Sequence, residues 1–144
     1  DRFGLSVEVR TPKDIEVRIE IMRLVAANEA DPEAFAARWA GEDEKILKRV
    51  AKGKARLPKL EAGDDVLRDA ANLCLAVGAD GLRGELTLMR AARALAALEG
   101  AKSVTRKHMI AIAPLALRHR LRRDVLDETG STVRITRAIA ELFG

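Results

Sequence analysis

The spacing of apolar residues predicts a chain made mainly of helices. Ile15, Ile19 and Met22 recur at the spacing of one helix face. The segment Thr11-Pro12-Lys13-Asp14 precedes them and resembles a capping box with proline at the first helical position. A second helix is predicted from Asp31-Pro32-Glu33 onward, because an N-cap residue is followed there by proline and an acidic residue.

Helical patterns with recognisable ends also fill the C-terminal part of the chain. The predicted helices are Val66–Val77 with Asp64 or Asp65 as its cap and Gly78 as its terminator, Leu82 to Gly100, a helix capped by Thr105, and Ser131 to about Leu142. Because Pro114 lies in the middle of the third of these, we expect a kink or break near Ala111.

A different period occurs near the N-terminus, where Leu5, Val7 and Val9 alternate with polar residues. Alternation predicts a short strand, and one strand without partners is not stable alone. We therefore expect residues 1–10 to be the remnant of a sheet, and residues 11–144 to form an all-α multi-helix bundle.

The composition supports helices and gives no sign of a membrane segment. Hydrophobic residues make up 48% of the 144 residues and aromatic residues only 3%, which favours close-packed helices over a β-sandwich. The longest apolar run, Met109–Leu117, is too short to span a bilayer. A single cysteine excludes an intrachain disulfide, and together with the absence of a recognisable signal peptide it indicates a cytoplasmic protein. Cys74 lies among apolar residues and is predicted to be a small core residue rather than a nucleophile.

The charges are dispersed, with one exception. The net charge is +4 from 26 basic and 22 acidic residues, interspersed as on a solvated helical surface. Residues 118–123 contain a concentrated run of arginines with His119, which is followed at once by acidic residues. No aromatic side chain is interleaved there to stack on a base, so we do not expect nucleic-acid binding.

The motifs of an independent enzyme are missing. There is no glycine-rich phosphate loop with its lysine, and no apolar strand ending in the acidic pair that holds Mg²⁺ beside a nucleotide. His108 and His119 have no cysteine or carboxylate at ligand spacing, so no metal site is predicted, and His108 is expected in an exposed first turn. We expect the chain alone neither to catalyse a reaction nor to hold a cofactor.

The most informative single residue is Arg83. Asp80 is predicted to cap the helix that follows, which places Arg83 in its first turn on a face shared with Thr87 and Arg90. A cation beside the positive end of a helix suits an anion such as phosphate. The alternative is a solvated arginine paired with Asp80 or Glu85.

Three separate motifs carry a resemblance to a known family. Residues Asp1–Pro12 read Asp-Arg-Phe-Gly-Leu-Ser-Val-Glu-Val-Arg-Thr-Pro, Gly81–Leu88 read Gly-Leu-Arg-Gly-Glu-Leu-Thr-Leu, and Arg118–Asp124 read Arg-His-Arg-Leu-Arg-Arg-Asp. In this order they resemble the C-terminal part of the AAA+ ATPase subunit of magnesium chelatase, from its last core strand through its helical lid. The chain departs from that family's pattern at Val125, where the family has proline, and at Thr129, where it has alanine.

The resemblance implies a role at a nucleotide site that this chain completes but does not contain. It assigns Arg83 as the lid's "sensor 2" arginine on the γ-phosphate of ATP bound by the same subunit, and Arg2 as the arginine finger that reaches the neighbouring subunit's site. ATP and Mg²⁺ would belong to the parent enzyme, which inserts magnesium into protoporphyrin. The implied partners are the AAA+ core of the same subunit, the neighbouring ring subunits and the chelatase paralogue, in the cytoplasm or, in a plant, the plastid stroma.

Two other functions stay open on the residues alone. The chain could be the lid of another chaperone-like AAA+ ATPase that remodels protein partners. It could also be an engineered helical domain without activity of its own, since Arg83 has no nucleotide to sense without the core.

Overall fold

A computed structural model describes residues 3–79, 81–121 and 130–144. Within these residues the chain forms six α-helices. They are α1 (Ile15–Ala30), α2 (Pro32–Arg56), α3 (Asp64–Ala76), α4 (Arg83–Glu99), α5 (Arg106–Leu117) and α6 (Ser131–Phe143), with a 3₁₀ turn at Leu57–Lys59. The predicted all-α class is confirmed.

The predicted N-terminal strand does not form in the described residues. Residues 3–14 adopt neither helix nor strand, although Leu5, Val7 and Val9 alternate as a strand would. A strand needs a neighbour to accept its ladder of hydrogen bonds, and none lies beside it in the described part of the chain. Ser6 instead donates its backbone N–H to the carbonyl oxygen of Leu115, over 2.8 Å.

The chain divides into two compact units. One comprises Glu8–Ala51 and contains α1 and most of α2. The other combines the N-terminal residues up to Val7 with Lys52–Gly144, and so contains the end of α2 and the helices α3 to α6.

In the unit Glu8–Ala51, side-chain caps define where the helices begin. The Asp14 carboxylate accepts from the Val17 N–H at 3.1 Å, so α1 begins at Ile15 and the predicted cap at Thr11 is wrong. Asp31 accepts from the Ala34 N–H at 2.9 Å and starts α2 as predicted. No residue of α1 is buried, and apolar side chains such as Ile15 and Met22 are exposed.

The other unit has the hydrophobic core, with α4 packed against both α3 and α5. The face of α4 that packs inward has Gly84, Leu88, Ala92 and Ala96, each four residues after the last. Since small side chains permit close approach of helix backbones, these glycine and alanine positions set a short distance to the neighbouring helices. The largest fully buried side chains of this core are Leu73, Leu88, Met109, Leu117, Ile135, Val77 and Cys74.

The helix ends of this unit match the predictions only in part. Gly78 and Gly100 follow α3 and α4 with φ of +66° and +75°, the left-handed geometry that glycine supplies at helix ends. Thr105 caps α5 as predicted. α3 begins at Asp64 after an N-cap at Gly63, and α6 begins at Ser131 after an N-cap at Gly130, so the predicted caps are first-turn residues.

The predicted break of α5 near Ala111 is wrong. The helix is continuous from Arg106 to Leu117 with Pro114 inside it. Ala113, Ala116 and Leu117 are buried around the proline, and this packing outweighs the local cost of a missing N–H.

Candidate functional site

Arg83 is the first residue of α4, and its side chain is exposed. The N-cap position falls on Leu82, which makes no side-chain capping bond. Asp80, the predicted cap, lies outside the described residues. The first-turn N–H groups of a helix point away from its body and carry partial positive charge. The Arg83 guanidinium is therefore attached at the helix end that favours an anion.

The backbone beneath Arg83 is held in close contact with two other helices. Gly84 is buried, and a Cβ built there would lie 3.1 Å from the Cβ of Ala79, 3.6 Å from the Sγ of Cys74 and 3.7 Å from a methyl of Leu117. These atoms belong to the turn after α3, to α3 itself and to α5. The start of α4 is thus fixed against both neighbours, while the side chain of Arg83 is exposed.

A carboxylate lies in the same first turn. Glu85 is half-buried, and its Oε2 is enclosed without a hydrogen-bond partner among the described residues. Burial first, and the nearby Glu85 carboxylate second, raise the pKa of the Cys74 thiol to about 12. Cys74 is only 1% exposed, which confirms the prediction that it is a core residue, and a thiol that stays protonated is a poor nucleophile.

An open groove of about 490 Å³ follows α4 beyond its first turn. Leu86, Met89, Arg90 and Arg93 line it from α4, opposite residues 58–62. The Arg93 guanidinium donates to the Leu57 carbonyl at 3.2 Å and so fastens α4 to the 3₁₀ turn. Arg93 therefore has a structural contact and is unsuitable as a neutral control for Arg83.

The structure brings together two of the motifs that lie far apart in the sequence. The His119 ring, through Nε2, and the Arg120 guanidinium both contact the carbonyl oxygen of Phe3, at 3.1 and 2.5 Å. His119 and Arg120 are half-buried, whereas the Phe3 side chain is 79% exposed. Arg2, the predicted arginine finger, and residues 122–124 of the basic run lie outside the described residues.

The residue after this pair connects it to the start of α4. Leu121 forms an isolated antiparallel bridge with Ala79. Ala79 is in turn the residue nearest to the Cβ position of Gly84. The sequence patterns alone did not indicate this connection between Leu121 and the start of α4. The available signal was that residues 81–88 and 118–124 both belong to the family motifs.

His108 is buried, which corrects the prediction of an exposed first-turn residue. It is only 6% exposed and completes a capping box: Nδ1 accepts from the Thr105 N–H at 2.9 Å. Because Nδ1 is the acceptor, Nε2 carries the proton and faces Glu99 Oε2 at 3.4 Å. The ring links the end of α4 to the start of α5 and has a structural role.

Neither a metal site nor a membrane helix is found in the part of the chain that the structure describes. No group of three or more histidine, cysteine or acidic side chains there is arranged to hold a metal ion. Among the same residues, none of the helices combines the length and the apolar composition that crossing a bilayer requires.

Comparisons with known proteins give a consistent result. Residues 67–139 match the family model described as the AAA lid domain. The magnesium-chelatase 38 kDa subunit of Rhodobacter capsulatus is 55% identical over 141 residues, which cover 98% of this chain and 40% of that protein. The chloroplastic magnesium-chelatase subunit ChlI of rice is 34% identical over 143 residues, covering 99% of this chain and 34% of that protein.

A relative with a different name also matches. An uncharacterized protein of Mycobacterium tuberculosis is 44% identical over 130 residues, covering 90% of this chain and 21% of that protein. The chain therefore spans less than half the length of each of these curated relatives.

Proposed function

Because the chain belongs to the AAA lid domain family, we propose that it is the nucleotide-sensing lid of a magnesium-chelatase AAA+ ATPase subunit. In this role the lid closes over ATP bound by the core of its own subunit and contacts the neighbouring subunits of a ring. The ring, with its chelatase paralogue, uses hydrolysis to drive magnesium insertion into protoporphyrin, in the cytoplasm or in a plastid stroma.

The observation that carries the proposal is the placement of Arg83. An exposed guanidinium stands at the first residue of a helix whose next residue is packed against α3 and α5. Such a cation can reach outward while its backbone stays fixed, which is the preorganisation that electrostatic stabilisation of a transition state requires. ATP with Mg²⁺ would supply the transferable phosphoryl group, and Arg83 would bind its γ-phosphate oxygens.

Arg2 completes the proposal as the arginine finger. It would bind the γ-phosphate of the neighbouring subunit's nucleotide, and so each site would receive one arginine from its own lid and one from the next subunit. Two cations on the same phosphoryl group spread the negative charge that moves during transfer.

Replacement of Arg83 by alanine tests the proposal. The parent for this test is a chimeric subunit in which this chain replaces the matched stretch of the Rhodobacter capsulatus 38 kDa subunit. We expect Arg83→Ala to lower kcat for ATP hydrolysis on the order of a hundredfold, with a smaller change in nucleotide affinity. Thermal stability of the lid should change by less than about 0.5 kcal/mol, because the side chain is exposed.

Arg68→Ala is the matched control, since Arg68 is an exposed arginine on α3. It should hydrolyse ATP at the rate of the parent. Equal losses for Arg83→Ala and Arg68→Ala, or a melting temperature lowered enough to account for the lost rate, would show that Arg83 is not the sensor.

A second candidate is the lid of a different AAA+ ATPase. It is retained because the Mycobacterium tuberculosis relative does not bear the name of a magnesium chelatase. The same chimera separates the two candidates. A chelatase lid should support both hydrolysis and magnesium insertion, whereas hydrolysis without insertion would favour the second candidate.

A further inference from the structure

The segment next to Arg2 is held by polar contacts to its backbone. Phe3 and Leu5 are 79% and 47% exposed, so neither residue is fixed by full burial in the core. The contacts of this segment include those of His119 and Arg120 to the Phe3 carbonyl, and that of the Ser6 N–H to the Leu115 carbonyl.

A carbonyl that accepts from two side chains is restricted in both position and orientation. The Arg120 guanidinium is always charged, and a hydrogen bond from a charged donor is roughly twice as strong as a neutral one. The donors themselves are half-buried directly after α5, where Arg120 also donates its N–H to the Leu117 carbonyl at 2.8 Å. The Phe3 carbonyl is therefore fixed to the end of a core helix.

The same region reaches the start of α4. Leu121, directly after Arg120, pairs with Ala79, and Ala79 closely approaches Gly84, the residue after Arg83. Contacts within one unit thus join the segment that follows Arg2 to the segment that carries Arg83.

We infer that His119 and Arg120 are positioning residues for the arginine finger: they hold the Phe3 carbonyl, and thereby couple the finger of a subunit to the lid that senses the subunit's own nucleotide. This inference rests on the proposed function of Arg2 and Arg83. Neither His119 nor Arg120 acts on the nucleotide of its own subunit. Their effect is exerted on the neighbour's site.

Mixed rings of the chimeric subunit test this inference. The donor subunit carries Arg83→Ala, which disables its own site and keeps its finger. The acceptor subunit carries Arg2→Ala, which keeps its site and removes its finger. Each alone should be nearly inactive, and mixing should restore hydrolysis, because acceptor sites then receive donor fingers.

The double variant His119→Ala/Arg120→Ala is then added to one subunit at a time. In the donor it should lower the restored kcat at least tenfold, with the KM for ATP unchanged, because the acceptor site is intact. In the acceptor, whose finger is already absent, it should change the rate less than twofold. Arg120→Lys in the donor subunit keeps a charged hydrogen-bond donor and should retain most of the restored kcat. Arg68→Ala in the donor subunit should have no effect.

Several other results would overturn the inference. Equal losses in donor and acceptor, or a lowered melting temperature of the variant chain that parallels the lost rate, would assign the pair a structural role and overturn the inference. The inference is also overturned if the double variant in the donor has no effect. If Arg2→Ala alone hydrolyses ATP at the parent rate, the finger assignment itself fails, and the inference fails with it.

Discussion

Gly84→Val perturbs the closest helix contact behind Arg83 without changing a charged group. A Cβ at this position would already lie 3.1 Å from the Ala79 Cβ and 3.6 Å from the Cys74 Sγ. Carbon atoms in contact prefer a separation of about 3.5–4.0 Å, so the Cβ alone is too close. The two methyl groups of valine add further volume to a site that is already filled.

Two opposing terms determine the expected change in the free energy of unfolding. Overpacking of a core costs about 1–3 kcal/mol. Valine in place of glycine within a helix returns only a few tenths of a kcal/mol through better helix propensity. The net effect should be a destabilisation of about 0.5–2.5 kcal/mol, against the roughly 5–15 kcal/mol of stability that a domain has.

Urea denaturation of the chain followed by circular dichroism measures this difference. Ala94→Val serves as the control on the same helix, because Ala94 is exposed and its replacement should cost only about 0.6 kcal/mol of helix propensity. Ala79→Gly combined with Gly84→Val removes the nearest carbon, and the pair should show a favourable coupling above about 0.5 kcal/mol. The reasoning is refuted if Gly84→Val is as stable as the parent chain, or if the two substitutions are additive.

Two further predictions concern the buried side chains of His108 and Cys74. His108→Ala removes the capping box and the link to Glu99, and it should destabilise the chain by about 2 kcal/mol in the same urea assay. The control Lys107→Ala, in the same turn but exposed, should change stability by less than about 0.5 kcal/mol. Equal effects of the two substitutions would contradict the structural role of His108. Cys74, with its pKa raised from 9.0 to about 12, should resist thiol reagents at neutral pH until urea unfolds the chain. Since the folded state disfavours the thiolate, the stability contributed by this group should fall as pH rises from about 9 towards 12, and rapid labelling of the native chain would contradict burial.

The sequence predicted the helices well where a cap has a strong local signature. Asp31, Thr105 and Gly100 mark the ends that were predicted, because each supplies a side-chain acceptor or a left-handed backbone that few other residues supply. Thr11 was predicted as the cap of the first helix, and the structure uses Asp14 instead.

Other errors arose where tertiary packing decides the local structure. The continuity of α5 through Pro114 depends on buried neighbours that no local pattern shows. His108 was predicted to be an exposed first-turn residue, but it is buried and contacts Glu99 at the end of the preceding helix.

The candidate site also has one part that local sequence predicts and one part that tertiary packing decides. The position of Arg83 in a first helical turn follows from the local pattern, and so does its exposure. The contact of Arg120 with the Phe3 carbonyl joins residues 117 apart in the sequence. Local propensity carries no information on such a pair, and only the packing of the helices brings it together.

The buried alanines of α4 and α5 have a consequence for how these helices can move. Ala92, Ala96, Ala113 and Ala116 are fully buried, and an alanine has no side-chain torsion that can adopt a second rotamer. Helices that meet through long side chains can slide by exchanging rotamers, as in shear motions between packed helices. The buried alanines offer no such alternative arrangement, so this part of the α4 and α5 packing should resist sliding and favour movement of the two helices together.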